Sequence, residues 1–134
     1  DHANVVAPGK RPFHTIIPGF VTRNGQPLMS FGVMGGSMQA QGHTQVMLRM
    51  VDYGQNPQAA SDAPRWRIDS GLKVGIEHGV PAETVAALRA RGHDMPQADR
   101  WSTDFGRAQL IYRMDDDGYL AASERRTDGQ AVGF

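Results

Sequence analysis

The residues with the clearest chemical potential are two adjacent glycines, Gly35 and Gly36, inside the stretch Phe31-Gly-Val-Met-Gly-Gly-Ser-Met-Gln39. A strand-like apolar run stops on them and a helix-like run begins after them. Without Cβ atoms, consecutive glycines let the backbone approach a ligand closely, with N–H groups free to converge on negative charge. In acyl-transfer chemistry that charge is the oxyanion of a tetrahedral intermediate, and one fixed donor aimed at it contributes about 2.7–4 kcal/mol. The local pattern by itself favours the plainer reading, a tight strand-to-helix connection whose glycines serve packing, and the sequence on both sides has to decide.

Other chemistry is sparse. The five histidines (His2, His14, His43, His78 and His93) are scattered, with no His-x-x-x-His pair and no acid cluster at metal spacing, so no metal site is expected. The absence of cysteine removes disulfides, zinc-thiolate sites and a thiol nucleophile together, and leaves the compartment open. There is no Gly-x-Ser-x-Gly elbow, no phosphate loop and no dinucleotide fingerprint, so no cofactor is expected. By itself, His14 in an apolar run reads as a packed or edge histidine. Asp115, Asp116 and Asp117 are consecutive between strand-like runs, whereas a calcium loop spaces its acids at alternate positions, so they read as a solvated turn.

The elements that must position the glycine pair follow from the pattern. Residues 1–12 suit an extended entry loop. Phe13 to Thr22 is rich in aromatic and β-branched residues and predicts a strand interrupted or bulged at Pro18-Gly19, with a hairpin turn at Asn24-Gly25. The run Pro27 to Met34 is apolar at successive positions, as in a strand covered on both faces. Ser37 is the expected N-cap of a helix with Met38, Gly42, Val46, Met50 and Tyr53 on its inner face, ending at Gly54. The methionines Met38, Met47 and Met50 read as core.

Asn56-Pro57 opens a short helix to Ala63. Two short strands are expected around Ser70-Gly71. A helix from Pro81 to Arg91 has Val85 and Leu88 inward, and a strand, turn and strand run from Gly106 to Ser123. Residues 124–134 read as a polar tail with an apolar end. With 134 residues, ordinary apolar content, no repeat and no linker, residues 1–134 form one α+β domain.

Fourteen Lys and Arg balance fourteen Asp and Glu, so no net field recruits nucleic acid or an anionic membrane. No run approaches the length of a membrane span, and the start Asp1-His-Ala-Asn lacks a signal peptide's basic and apolar regions.

Lys10-Arg-Pro-Phe-His-Thr-Ile-Ile-Pro18, Asn24-Gly25, Gly32 to Gln39, Val51 to Arg65 and Tyr119-Leu-Ala-Ala-Ser-Glu-Arg-Arg-Thr-Asp-Gly129 together resemble the small-subunit region of the γ-glutamyltranspeptidase family. The resemblance implies an N-terminal-nucleophile hydrolase with a four-layer αββα sandwich of mostly antiparallel sheets, cut from a precursor into large and small subunits. A Thr freed at the small subunit's N-terminus would attack a γ-glutamyl amide with its own α-amino group as base, and the acyl-enzyme would pass to water or an amine. Asp1 does not fit that role. The expectation is therefore a C-terminal part of the small subunit, inactive alone, whose partners are the remaining precursor segments and a small amide substrate.

Gly35 and Gly36 fall on the family's oxyanion-hole glycines. His14 and Thr15 fall where a serine pair commonly binds the substrate α-carboxylate; Thr15 keeps a hydroxyl, while His14 adds bulk and a titratable ring. Met34 replaces a proline common before the glycine pair. These departures bear on the acyl group rather than on the reaction type. A related alternative is an acylase of the same superfamily acting on dicarboxylic-acyl amides, and one of another class is a scaffold that has lost its nucleophile.

Overall fold

A computed structural model describes residues 2–100 and 102–133. Asp1 and Phe134, the apolar end of the tail, lie outside the described residues, and what was expected of each is left at the sequence. The elements are β1 (Gly19–Arg23), β2 (Gln26–Met34), α1 (Met38–Val51), α2 (Pro57–Asp62), β3 (Trp66–Ser70), β4 (Lys73–Ile76), α3 (Ala82–Ala90), β5 (Arg107–Arg113) and β6 (Tyr119–Ser123). The fold is α+β. Four antiparallel strands form one sheet in the order β1-β2-β5-β6, and β3 and β4 form a separate ribbon.

Local chemistry explains most of these boundaries. Asn24 and Gly25 both take positive φ, which is what a two-residue hairpin turn requires. The Asn56 side chain accepts from Ala59 N–H at 2.8 Å, and Pro57 opens α2 as expected. Asp117 takes positive φ in the acidic turn and pairs with Arg113 at 2.9 Å. Among the described residues no group of three metal-ligating side chains converges, and no helix is long and apolar enough to cross a membrane.

Four expectations are corrected. Phe13 to Pro18 is not strand: β1 begins at Gly19, and its irregularity lies between Val21 and Thr22. Proline at 12 and 18 removes the N–H groups a ladder would use, so the segment is extended coil. Ser37 precedes α1 in αR conformation without a side-chain cap bond; the carbonyls of Gly35 and Gly36 instead accept from Met38 and Gln39 N–H at 3.1 Å each. Tyr53 is 76% exposed and lies beyond the packed face of α1.

The fourth concerns β2, which alternates rather than being covered twice. Met29, Phe31 and Val33 are buried together with Val46 of α1, Ala108 and Leu110 of β5 and Ala122 of β6, while Ser30 and Met34 are exposed on the other face. Met47 and Met50 pack against that core, and Met38 is buried, as the helical spacing predicted. A smaller cluster of Ile76, Val85 and Met95, with Leu88 against it, seats α3 on the ribbon.

Candidate active site

The glycine pair sits where β2 ends and α1 begins, and its backbone is one that only glycine adopts readily. Gly35 has φ 150° and Gly36 φ 60°. A Cβ on Gly35 would stand 2.9 Å from the Gly106 Cα, so the first glycine is also fixed by close backbone approach. A Cβ on Gly36 would meet nothing within 4 Å.

Among the described residues, the helix-start hydrogen bonds of this turn are made by its carbonyls. Gly35 C=O and Gly36 C=O point into the first turn of α1, where they accept from Met38 and Gln39. In a trans peptide the N–H opposes the C=O, so the Gly36 N–H, sharing its plane with Gly35 C=O, points away from the helix. Gly35 borders a cleft of about 300 Å³ together with Ser37, Arg67, Asp69, Thr103 and Asp104.

Arg67 is held there by Asp69 (Nε to Oδ1, 2.6 Å) and Asp104 (Nη1 to Oδ2, 3.4 Å), with its guanidinium 5.5 Å from the Phe105 ring centroid. The hydrogen bond to Asp69 raises its already high pKa further, so it stays cationic. One cation and two carboxylates leave this wall of the cleft slightly acidic.

His14 and Thr15 lie exposed on the extended segment before β1. A residue not singled out from the sequence ties that segment to the glycine turn. Gln39, 6% exposed, accepts from Ile17 N–H through Oε1 at 3.1 Å and donates through Nε2 to Thr15 C=O at 2.8 Å and to Gly36 C=O at 3.2 Å. Gln39 thus joins the Thr15 carbonyl to the Gly36 carbonyl, and His14 and Gly35 enter this link only as chain neighbours of those two residues. The available signal was three glutamines, at 39, 41 and 45, in a helix whose inner face is otherwise apolar.

Behind the glycine turn lies a buried charge network that no local sequence pattern marks. Arg65, 1% exposed, donates to the carbonyls of Phe105 and Gly106 at 2.9 Å each, to Ser61 C=O at 3.0 Å and to Glu124 Oε2 at 2.9 Å. Glu124 Oε2 also accepts from Ala108 N–H at 2.7 Å, and Oε1 from Arg126 Nη1 at 2.7 Å. Arg126 reaches Glu77 with two donors, at 2.6 Å and 2.5 Å. The 124–134 segment is therefore not simply a polar tail, because its first residues are interior. Since Arg65 holds Gly106, and Gly106 backs Gly35, the network supports the glycine turn from behind.

The model of the family described as gamma-glutamyltranspeptidase matches residues 1–134. The chain belongs to this family. This γ-glutamyltranspeptidase-family chain is 35% identical over its whole length to a glutathione hydrolase-like YwrD proenzyme of Bacillus subtilis, of which it covers 26%. It is 30% identical over 99% of its length to an oxamate amidohydrolase proenzyme of Klebsiella pneumoniae, again covering 26%.

Among solved structures, a cephalosporin acylase from Bacillus halodurans superposes with a TM-score of 0.85 at 50% identity, over all of this chain and 25% of that one. A γ-glutamyltranspeptidase from Pseudomonas nitroreducens gives a TM-score of 0.77 at 23% identity over 99% of this chain and 69% of that one, a likeness of fold. The chain thus spans about a quarter of the length of the curated relatives it matches. The α+β architecture is that of this family of N-terminal-nucleophile hydrolases.

Proposed function

We propose that this chain supplies the oxyanion hole and part of the acyl pocket of a γ-glutamyl-type amide hydrolase or transferase, and that the attacking Thr hydroxyl comes from precursor sequence outside residues 1–134. The observation that carries the reading is the glycine turn, whose carbonyls are spent on α1 and whose Gly36 N–H faces away from the helix. Attack by the hydroxyl makes a tetrahedral oxyanion; the Gly35 and Gly36 N–H groups stabilise it; its collapse breaks the C–N bond, and the amine leaves with the proton taken from the nucleophile. Water or a second amine then takes the acyl group. Thr15 and His14 bind the carboxylate of the acyl portion, and the remaining precursor segments complete the site.

A second reading, an acylase for dicarboxylic-acyl amides, is favoured by His14 in place of a small hydroxyl residue and by the 50% identity to a cephalosporin acylase. Release of chromophore by the complete processed protein from a γ-glutamyl anilide or from a glutaryl anilide separates the two.

The site is tested best at Gly36. A bulky residue at Gly35 would clash with Gly106 and disturb folding, whereas Gly36→Ala has room and suffers only its positive φ, a strain of about 1–2 kcal/mol. Relief of that strain rotates the peptide that carries the donor. Gly36→Ala in the complete enzyme is expected to lower kcat about tenfold or more with little change in KM or subunit assembly; unchanged kcat would remove the glycine pair from the mechanism.

A further inference from the structure

The segment that carries His14 and Thr15 has no secondary structure of its own. It is exposed, it precedes β1, and it has a proline at each end. Among the described residues, the hydrogen bonds that reach residues 11–18 are those with Gln39, which donates to Thr15 C=O and accepts from Ile17 N–H. The carboxamide making them is itself buried, at the first turn of α1 directly after the glycine pair. Its Nε2 also donates to Gly36 C=O, so one nitrogen joins the pocket segment to the oxyanion turn.

The chemistry at this position is demanding. Thr15 and Gly36 each present a carbonyl oxygen and need a donor; Ile17 presents an N–H and needs an acceptor. Among side chains of this length, only a carboxamide offers both at once. Leucine offers neither, and a glutamate carboxylate satisfies Ile17 while facing two carbonyl oxygens with negative charge.

We infer that Gln39 is a positioning residue for the acyl pocket: its carboxamide sets where His14 and Thr15 stand relative to the Gly35-Gly36 turn, and so tunes recognition of a carboxylate-bearing acyl group. The inference rests on the reading of the site given above, and goes beyond it in assigning a role to a residue that touches no substrate. Loss of the clasp lets residues 11–18 sample other positions while α1 still holds the glycine turn through backbone bonds. The penalty falls on substrate binding and not on the chemical step.

The test uses the complete processed enzyme with Gln39→Leu and Gln39→Glu beside Gly36→Ala. Hydrogen exchange at the Ile17 amide reads the clasp directly: at least a tenfold acceleration is expected in Gln39→Leu, with the sheet amides unchanged, and an unaltered rate overturns the inference whatever the activity. Kinetics on the better of the γ-glutamyl and glutaryl anilides read the consequence: Gln39→Leu is expected to raise KM about tenfold with kcat within about twofold, the opposite split from Gly36→Ala. A fall in kcat at unchanged KM overturns the positioning role. Gln39→Glu should behave like Gln39→Leu at neutral pH and recover part of its KM on acidification, because a protonated carboxyl regains a donor; a KM that does not improve counts against it. A wild-type enzyme inert on both anilides while Ile17 exchange still responds would sink the proposed function and leave the clasp standing.

Discussion

Glu124 shows how much a single interior carboxylate can carry. It is 1% exposed, and burial alone would push its pKa up. The Arg65 guanidinium, the Ala108 N–H and Arg126 outweigh that and hold it below the ordinary carboxylate value. A carboxylate depressed in the folded state contributes stability that is fully present above its unfolded pKa, about 4.3, and lost as pH falls through the lower folded value. The complete protein should therefore lose stability in acid below about pH 4, and Glu124→Gln should flatten that dependence while costing about 3–5 kcal/mol at neutral pH, since it leaves buried Arg65 without a carboxylate partner while Arg126 keeps Glu77. Urea titrations between pH 3 and 7 check both; a variant with the parent's acid slope would contradict this account. None of this was legible in the sequence, because Arg65 is 59 positions from Glu124 and Glu77 is 49 from Arg126. The glycine pair was legible because its demand for positive φ and absent Cβ is local.

Elements follow the same division between local and distant causes. Strands β2 to β6 and all three helices lie where periodicity, Asn24-Gly25, Asn56-Pro57 and Pro81 put them, since turn and cap chemistry acts within four residues. What was not legible is how their edges are closed. Gln45 accepts from Trp66 N–H at 3.0 Å and donates to Trp66 C=O at 2.9 Å, so a helix side chain satisfies the edge of β3 as a neighbouring strand would. Gln41 does the same for Ile68, and Gln58 of α2 for Ser123 of β6. Truncating Gln45, which is buried, leaves a donor and an acceptor of Trp66 unpaired at about 1–3 kcal/mol each. Gln45→Leu should thus destabilise the protein by about 2 kcal/mol or more. Gln41→Leu should cost less, because Ile68 is exposed enough for water to substitute. Equal denaturation midpoints for the two variants would show that these clamps are not what seats β3 on α1.

At the scale of the molecule, the four-stranded sheet buries one face against α1, while among the described residues several side chains of its other face stay exposed. On the outer face the register places Phe20 beside Ser30, Ser30 beside Ile111 and Ile111 beside Ala121. Phe20 is 64% exposed and Ile111 53%, with Met34 exposed nearby. The apolar run in β2 that reads as a doubly covered strand is therefore covered on one face only among the described residues. An exposed face carrying Phe20, Met34 and Ile111, flanked by the open edge of β1, favours self-association until something covers it. The relatives are proenzymes of which this chain spans about a quarter, and the four-layer sandwich expected from the sequence supplies a second sheet as the cover. Residues 1–134 expressed alone should accordingly bind a hydrophobic dye strongly and elute as oligomers or aggregates. Coexpression with the rest of the precursor should abolish both, and Ile111→Lys should improve the solubility of the isolated chain while blocking its assembly with the other segments. A monomeric, dye-silent isolated chain with one cooperative unfolding transition would mean that this face is finished as it stands.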